Sequence, residues 1–315
     1  MEIKESVRRR AKGVAESPVV RALSRRSRLE AKLAQRFRAG ETVAQAADVA
    51  LELRQTRTAA SLDLLAAPAT TLDETTANAQ EYLAALSHLS ARGLAAGEAV
   101  DLTVRPAALG LHLAGAPTHA GDLAELVVGA ATRAGTSVTL ALEPAEWTDE
   151  VLALAARLRA DHPRTAVSLD ARLHRTEADV AGLTGPGVRV RLVQGPKDTP
   201  RAIAWHNQHE ADLAWVRCVK TLVGGAGEPL IDTDDMRLAD VASVMANLDR
   251  RRVESFEYQV TLGANTEAAL RLSDSGYRVR VRLPYGEGWY AEALQRLADR
   301  PDSMTGLLRP VSHAD

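Results

Sequence analysis

The stretch VRVRLPYGEGWYAEALQRLADRP, residues 279–301, changes period halfway along. Val279 to Leu283 alternate apolar and charged, the pattern of a strand whose two faces meet different surroundings. Pro284, Tyr285 and Gly286 then break the alternation, and a short helical pattern follows. One strand, one turn and one helix make a single repeating unit, so the question is how many such units precede it. Reading backwards, apolar runs rich in β-formers recur as YRVRVRLPYG, FEYQVTLG, PLIDTD, VRVRLVQG, AVSLDARL, SVTLALE, AVDLTVRPA and AASLDLLA. Amphipathic helical patterns lie between them, at 73–92, 120–134, 148–160, 174–182, 205–224, 236–249 and 265–274. Eight strand–helix units in about 250 residues is the rhythm of a (β/α)8 barrel. A doubly wound open sheet is the alternative, but no G-x-G-x-x-G follows the first strand. VGGAGEP, residues 223–229, follows a helix and precedes a strand, which suits a helix-to-strand turn better than a phosphate loop.

Bulk properties are consistent with one large α/β domain. The chain has 315 residues, 46% hydrophobic, with only 3% aromatic, so Leu, Ala and Val must fill the core. Formal net charge is −2, which provides no global field for nucleic acid. The charge is uneven: residues 1–39 carry twelve Lys or Arg against four acids. Solvated helix faces account for this, with contact to an anionic membrane surface or partner as the alternative. Residues 1–53 read as a helical arm and 54–315 as the barrel, with Thr42 placed to cap the helix that leads into it. No apolar run is long enough to span a membrane and no signal-peptide pattern follows Met1, so a cytoplasmic protein is expected. The single cysteine, Cys218, sits in a helical pattern and reads as buried filler.

In a (β/α)8 barrel the working residues sit at the C-terminal ends of the strands. Here those ends are charged: Arg105, Glu143, Asp170 and Arg172, Arg191 with Gln194 and Lys197, Asp232 to Asp234, Gln259 and Arg282. An interior ion-pair network and a pocket for a small anionic ligand are both compatible with such a ring. Asp232, Asp234 and Asp235, or His206 and His209, lack the partners of a metal set, so no metal is expected; Asp235 reads as a helix cap.

The order and spacing of several segments resemble the proline dehydrogenase family. They are RFRAGETVAQAADVALEL (36–53), ASLDLLAAPATTLDETTANAQEYL (60–83), TVRPAALGL (103–111), LALEPAEWTDEVL (140–152), VSLDARLHRTEADV (167–180), RLVQGPKDTP (191–200), FEYQVTLG (256–263) and the opening stretch. Together they cover roughly residues 34–310. The resemblance implies a flavin-dependent (β/α)8 barrel that oxidises proline or a related amino or imino acid, with FAD as cofactor. It places cofactor contacts at Arg191, Val193, Gly195, Thr233 and Gln259, with Asp170 and Asp234 standing where the family has a glutamine and a histidine. It places substrate contacts at Arg282, Gln295 and Arg296, where the family has a closing tyrosine and two carboxylate-binding arginines. The family's second-strand lysine is Arg105 here, and Arg105 and Arg282 are the catalytic candidates. Its third-strand aspartate is Ala141, and its Leu-Gly-Glu after the first strand is Leu65-Ala66-Ala67.

These substitutions imply a divergent member with a re-tooled site. Two other classes compete: a non-catalytic paralogue that binds or regulates, and a flavin-free barrel with other chemistry. With Arg296 keeping half of the carboxylate clamp and Arg282 or Arg105 supplying the missing second cation, a substrate carrying an extra acidic group is expected. The competing arrangement pairs those arginines with Asp170, Asp234 or Glu143. The final helix is expected near 288–299, over the mouth, with Trp289 and Tyr290 packing.

Residues 1–16 show no clean apolar stripe, whereas Val20, Leu23, Leu29, Leu33 and Phe37 form one. Removing residues 1–16 is therefore expected to change unfolding free energy by no more than about 0.5 kcal/mol, the ordinary surface range. Chemical denaturation of the truncated and full chains checks this.

Overall fold

The computed structural model describes residues 33, 37, 39–115, 117–264, 266–290 and 292–294. Eight parallel strands close into a barrel in sequence order. They are β1 (Ala59–Leu64), β2 (Val100–Val104), β3 (Val138–Leu140), β4 (Ala166–Asp170), β5 (Arg189–Val193), β6 (Glu228–Asp232), β7 (Glu257–Thr261) and β8 (Val279–Tyr285). The expected (β/α)8 barrel is what the chain forms. Closure runs through β1 and β8, with Ser61 opposite Arg282 and Asp63 opposite Pro284.

Helices alternate with the strands: α1 (Val43–Gln55), α2 (Leu72–Ala91), α3 (Pro117–Ala134), α4 (Thr148–Asp161), α5 (Thr176–Ala181), α6 (Gln208–Gly224), α7 (Met236–Leu248) and α8 (Thr266–Asp274). Thr42 begins α1 with a reciprocal capping box to Gln45, and the Asp235 carboxylate accepts the Arg237 N–H at the start of α7. Both caps were legible in the sequence. The glycine-rich stretch ends α6 at Gly225 as a turn, and its carbonyls are gathered by one cation: Arg251 donates to the carbonyls of Val223 (2.7 Å) and Gly225 (2.9 Å). Cys218 is buried on α6, where burial pushes its thiol up to about 12.

The pleat divides each strand between two environments. Residues such as Leu62, Leu102, Val167, Leu192, Ile231, Val260 and Val281 face outward and join one apolar core with the helices. Many helix contacts in that core are alanines, among them Ala46, Ala47 and Ala50 of α1, Ala79 and Ala85 of α2, and Ala239 and Ala242 of α7. Small side chains let helices seat close to the sheet, which is how a chain poor in aromatics excludes water.

Inside, the barrel is polar. Ser61, Asp63, Asp101, Thr103, Thr139, Ser168, Arg189, Arg191, Glu257, Gln259 and Arg280 are all buried. In the lower part Glu257 receives two bonds from Arg280 (2.8 and 3.1 Å) and one from Gln259 (2.8 Å), while Arg280 also reaches the Ala60 carbonyl (2.7 Å). Asp101 lies 3.6 Å from Arg280, and Arg189 donates to Ser137 (2.9 Å). Charges so deeply buried persist only when paired.

Burial works to raise the Glu257 pKa, but Arg280, followed by Arg189 and Arg278, outweighs it and holds the carboxyl at about 2. A depressed carboxylate contributes stability that is complete above the ordinary glutamate value and is lost as pH falls through its folded value. Glu257→Gln should therefore cost about 3–5 kcal/mol at neutral pH, because it strands Arg280. It should also remove part of the acid-induced loss of stability between roughly pH 4.5 and 2. Denaturant titrations across that range test both.

Candidate functional site

At the C-terminal ends of the strands the barrel opens into a cavity of about 1070 Å³. That volume suits a cofactor together with a small substrate. The charged floor follows from the polar interior continuing upward to the strand ends.

Arg105, just past β2, donates through Nε to the Leu64 carbonyl (3.2 Å) and pairs through Nη2 with Asp63 Oδ1 (3.2 Å). Burial opposes its charge, yet Asp63 first and Glu292 next hold its pKa above the ordinary arginine value. Arg282 on β8 faces the other oxygen of Asp63 (3.5 Å), approaches Asp232 Oδ2 (2.9 Å) and donates to Thr261 (2.8 Å). Asp63 thus sits between the two candidate cations, one oxygen for each. Arg105 and Arg282 do take carboxylate partners, but not those expected: the pairs are with Asp63 and Asp232. Glu143 instead accepts the Ala107 N–H (2.9 Å), and Asp234 accepts the Thr261 N–H (3.0 Å). Asp63 is absent from the ring of strand-end charges expected from the sequence, because its strand, AASLDLLA, is dominated by apolar residues. The alternation that places Ser61 inward places Asp63 inward as well.

Six of the seven expected cofactor residues line the cavity: Arg191, Val193, Gly195, Thr233, Asp170 and Asp234. Gln259 does not. It is wholly buried below the floor, its amide nitrogen committed to Glu257. Arg191 donates through Nη2 to Thr103 (3.0 Å), while its Nε has no hydrogen-bond partner. Burial, and then the nearby Arg282, lower the Arg191 pKa to about 10. Thr233 uses its hydroxyl to accept the Asp235 N–H (3.1 Å).

Asp170 braces two loops. Its Oδ1 accepts the backbone N–H groups of Arg172 (2.7 Å) and Gly195 (2.8 Å). A Cβ on residue 195 would collide with this carboxylate, so the Asp170 side chain itself requires glycine there. Arg172 ties the same loop from above, donating to the carbonyls of Gly195 (3.0 Å) and Trp205 (3.3 Å) and to Gln208 (3.0 Å).

Glu292, from the helical residues 292–294 that follow β8, also lines the cavity, which brings this segment to the mouth. Trp289 and Tyr290 pack with Leu33, Phe37 and Ala293 in a second apolar cluster, in the packing role expected. Gln295 and Arg296 lie outside the described residues, as does most of the basic N-terminal stretch. Among the described lining residues, nine carboxylates face six cations. The strongly cationic pocket expected for a substrate with an extra acidic group is therefore not what these residues form; Asp63 and Glu292 tilt the balance the other way. No group of three or more metal-ligating side chains occurs among the described residues, and none of the described helices is long and apolar enough to cross a membrane.

No family model matches the chain. It is similar to a proline dehydrogenase of Deinococcus radiodurans, 27% identical over 296 residues that span 91% of this chain and 92% of that one. It is also similar to proline dehydrogenase 1 of Bacillus subtilis strain 168, 24% identical over 281 residues, 88% of this chain and 90% of the relative. Among solved structures, proline utilization A of Bdellovibrio bacteriovorus superposes with a TM-score of 0.77 at 19% identity, over 88% of this chain. This chain spans about a third of that protein's length.

Burial raises the Asp170 carboxyl to about 6, against the lowering effect of the Arg172 and Gly195 N–H groups. A raised carboxyl contributes stability that is complete below the ordinary aspartate value and is lost as pH rises through the folded value. Stability should thus decline between roughly pH 4 and 6 by this contribution, and Asp170→Asn should flatten that decline. Melting curves of both proteins across the window provide the check.

Proposed function

The chain belongs to the proline dehydrogenase family, and from that premise we propose that it is a flavin-dependent oxidoreductase acting on proline or a related amino or imino acid through a re-tooled site. The observation that carries this reading is Arg191. It is a buried cation on the cavity floor whose Nε lacks a partner, and a buried donor left so is costly unless a ligand receives it. An electron-rich ring edge or an anionic group of a cofactor is such a ligand. The donor set therefore fits FAD.

FAD would rest on the β5–β6 side, against Arg191, Val193, Gly195, Thr233 and Asp234, with the Asp170 brace fixing the loop that carries Gly195. When bound, it supplies the acceptor for the hydride leaving the carbon beside the substrate nitrogen. The chain's own residues bind, orient and shield. Arg282 offers a cation for the substrate carboxylate, and Arg105 supports it through their shared partner Asp63. Glu292 contributes a carboxylate to the lining of the mouth. The cytoplasm, with no requirement for nucleic acid or a transmembrane segment, is the proposed setting.

One observation favours a second reading, a non-catalytic binding paralogue: Arg105 and Arg282 are both held by carboxylates of the chain itself.

Purified protein should carry an absorbance band near about 450 nm, the region where oxidised flavins absorb, and anaerobic proline should bleach it. Arg191→Met should weaken flavin retention by about tenfold or more, the scale of one charge-assisted bond, without loss of the far-ultraviolet helical signal. A chain that folds, takes up no flavin and still binds proline would favour the paralogue.

A further inference from the structure

Helix α7 carries an apolar row on its outer side. Among the described residues, Val241, Val244 and Leu248 all count among the exposed large apolar side chains, Val244 at 57% and Leu248 at 77% exposure. They recur at intervals of three and four residues, so they share one face of the helix. The opposite face holds Leu238, Ala239, Ala242 and Ala246, which are buried and seat α7 on the barrel. Arg237 extends the row by one turn toward the N-terminal end, with its side chain 79% exposed. Single exposed apolar residues are ordinary, but several in one row on one helix point to a contact surface.

Two features of the row indicate what covers it. The first is spacing. Arg237, Val241, Val244 and Leu248 are separated by four, three and four residues, a series that reads the same in both directions. A second α7 laid antiparallel, across a two-fold axis between Val241 and Val244, therefore puts a member of the row opposite every member. Val241 meets Val244 twice, and the aliphatic stem of Arg237 lies along Leu248 twice. Intervals alternating between three and four are also those that let two helices pack along their length.

The second feature is charge. Within its own helix each charged end stands against the dipole. Arg237 occupies the first turn, where anions are favoured, and Asp249 is the C-terminal cap, where cations are favoured. Asp235 answers Arg237 through Nε (3.2 Å) and Nη2 (2.7 Å), yet the side chain stays largely exposed. In the antiparallel pair, Arg237 comes to the C-terminal end of the other helix, near its Asp249 and its last carbonyls. Both disfavoured placements then become favourable ones. An unrelated apolar partner would cover the row but would account for neither the symmetric spacing nor the reversed charges.

We propose that the face formed by Arg237, Val241, Val244 and Leu248 is a self-association surface, and that its partner is the same face of a second copy of this chain, antiparallel across a two-fold axis. One helix pair buries an area at the low end of specific interfaces, so the association is reversible and in the micromolar range.

Sedimentation velocity of the full chain over a concentration series reads the association. The wild-type chain should pass from monomer to dimer as its concentration rises through about 1–100 µM. Val244→Asp places a carboxylate on each side of the axis and should weaken the dimer by about a hundredfold, tenfold from each copy. Because Val244 faces outward, this variant should keep its far-ultraviolet helical signal. Leu126→Asp, at an exposed position on α3, should leave the dimer unchanged. Orientation is read by mild oxidation of a mixture of the Val241→Cys and Val244→Cys chains. Covalent dimers joining the two variants should outnumber those formed within either one. If Val244→Asp does not fold, the concentration series and the cysteine pair still decide. A chain that stays monomeric throughout the series overturns the proposal, whether α7 is bare or covered by another segment of the chain. A dimer that survives Val244→Asp uses another face and also overturns it. Cross-linking mainly within one variant marks a parallel pair and does the same.

Discussion

The structure depends on keeping charge inside a closed barrel. Glu257 and Arg280 are each about 99% buried and bond to one another through two contacts, with Gln259 and the Ala60 carbonyl completing the set. Bulky aliphatic side chains commonly fill such a barrel, stacked in layers. Here the apolar work is moved outward, to the interface between strands and helices, and the interior is held by paired charge. The cost of stripping water from those groups makes the barrel intolerant of losing any one partner.

The same choice shapes the mouth. Because inward positions are polar from Glu257 and Arg280 upward, the floor of the cavity is already made of Arg191, Asp63, Asp232 and Arg282. No separate set of polar side chains has to be brought in on loops. The loops instead act as braces: Asp170 and Arg172 grip the Gly195 turn from two sides. A rigid floor with a braced rim is what a site needs if a cofactor and a small substrate are to meet in a fixed geometry. Similarity to proline dehydrogenases over about nine-tenths of the chain gives that geometry a chemical context. Within that cavity Asp63 and Asp232 place carboxylates directly beside Arg105 and Arg282.

Much of the fold was legible in the sequence. Eight runs with strand periods and seven helical patterns between them allow few other architectures. Caps at Thr42 and Asp235, the turn at Gly225 and the burial of Cys218 all rest on local chemistry, so reading them needed no tertiary knowledge. The site was legible only as a ring of residue types at strand ends. Alternation told which of those point inward, and six of seven expected cofactor residues do meet in one cavity. It could not show that Gln259 is turned downward to Glu257, since that bond is made within the strand's own inward column.

The sequence by itself determined periods, boundaries and faces, because each is a property of a few neighbouring residues and their backbone geometry. Only the tertiary structure decided the pairings. Asp63 and Arg282 are separated by most of the chain, and they meet because closing the barrel lays β1 against β8 in one register. Ion pairing depends on distance and on exclusion from water, and both are fixed when the last strand docks. A list of charged residues therefore leaves open which arginine is neutralised, which donor is left without a partner and where a ligand would complete the set.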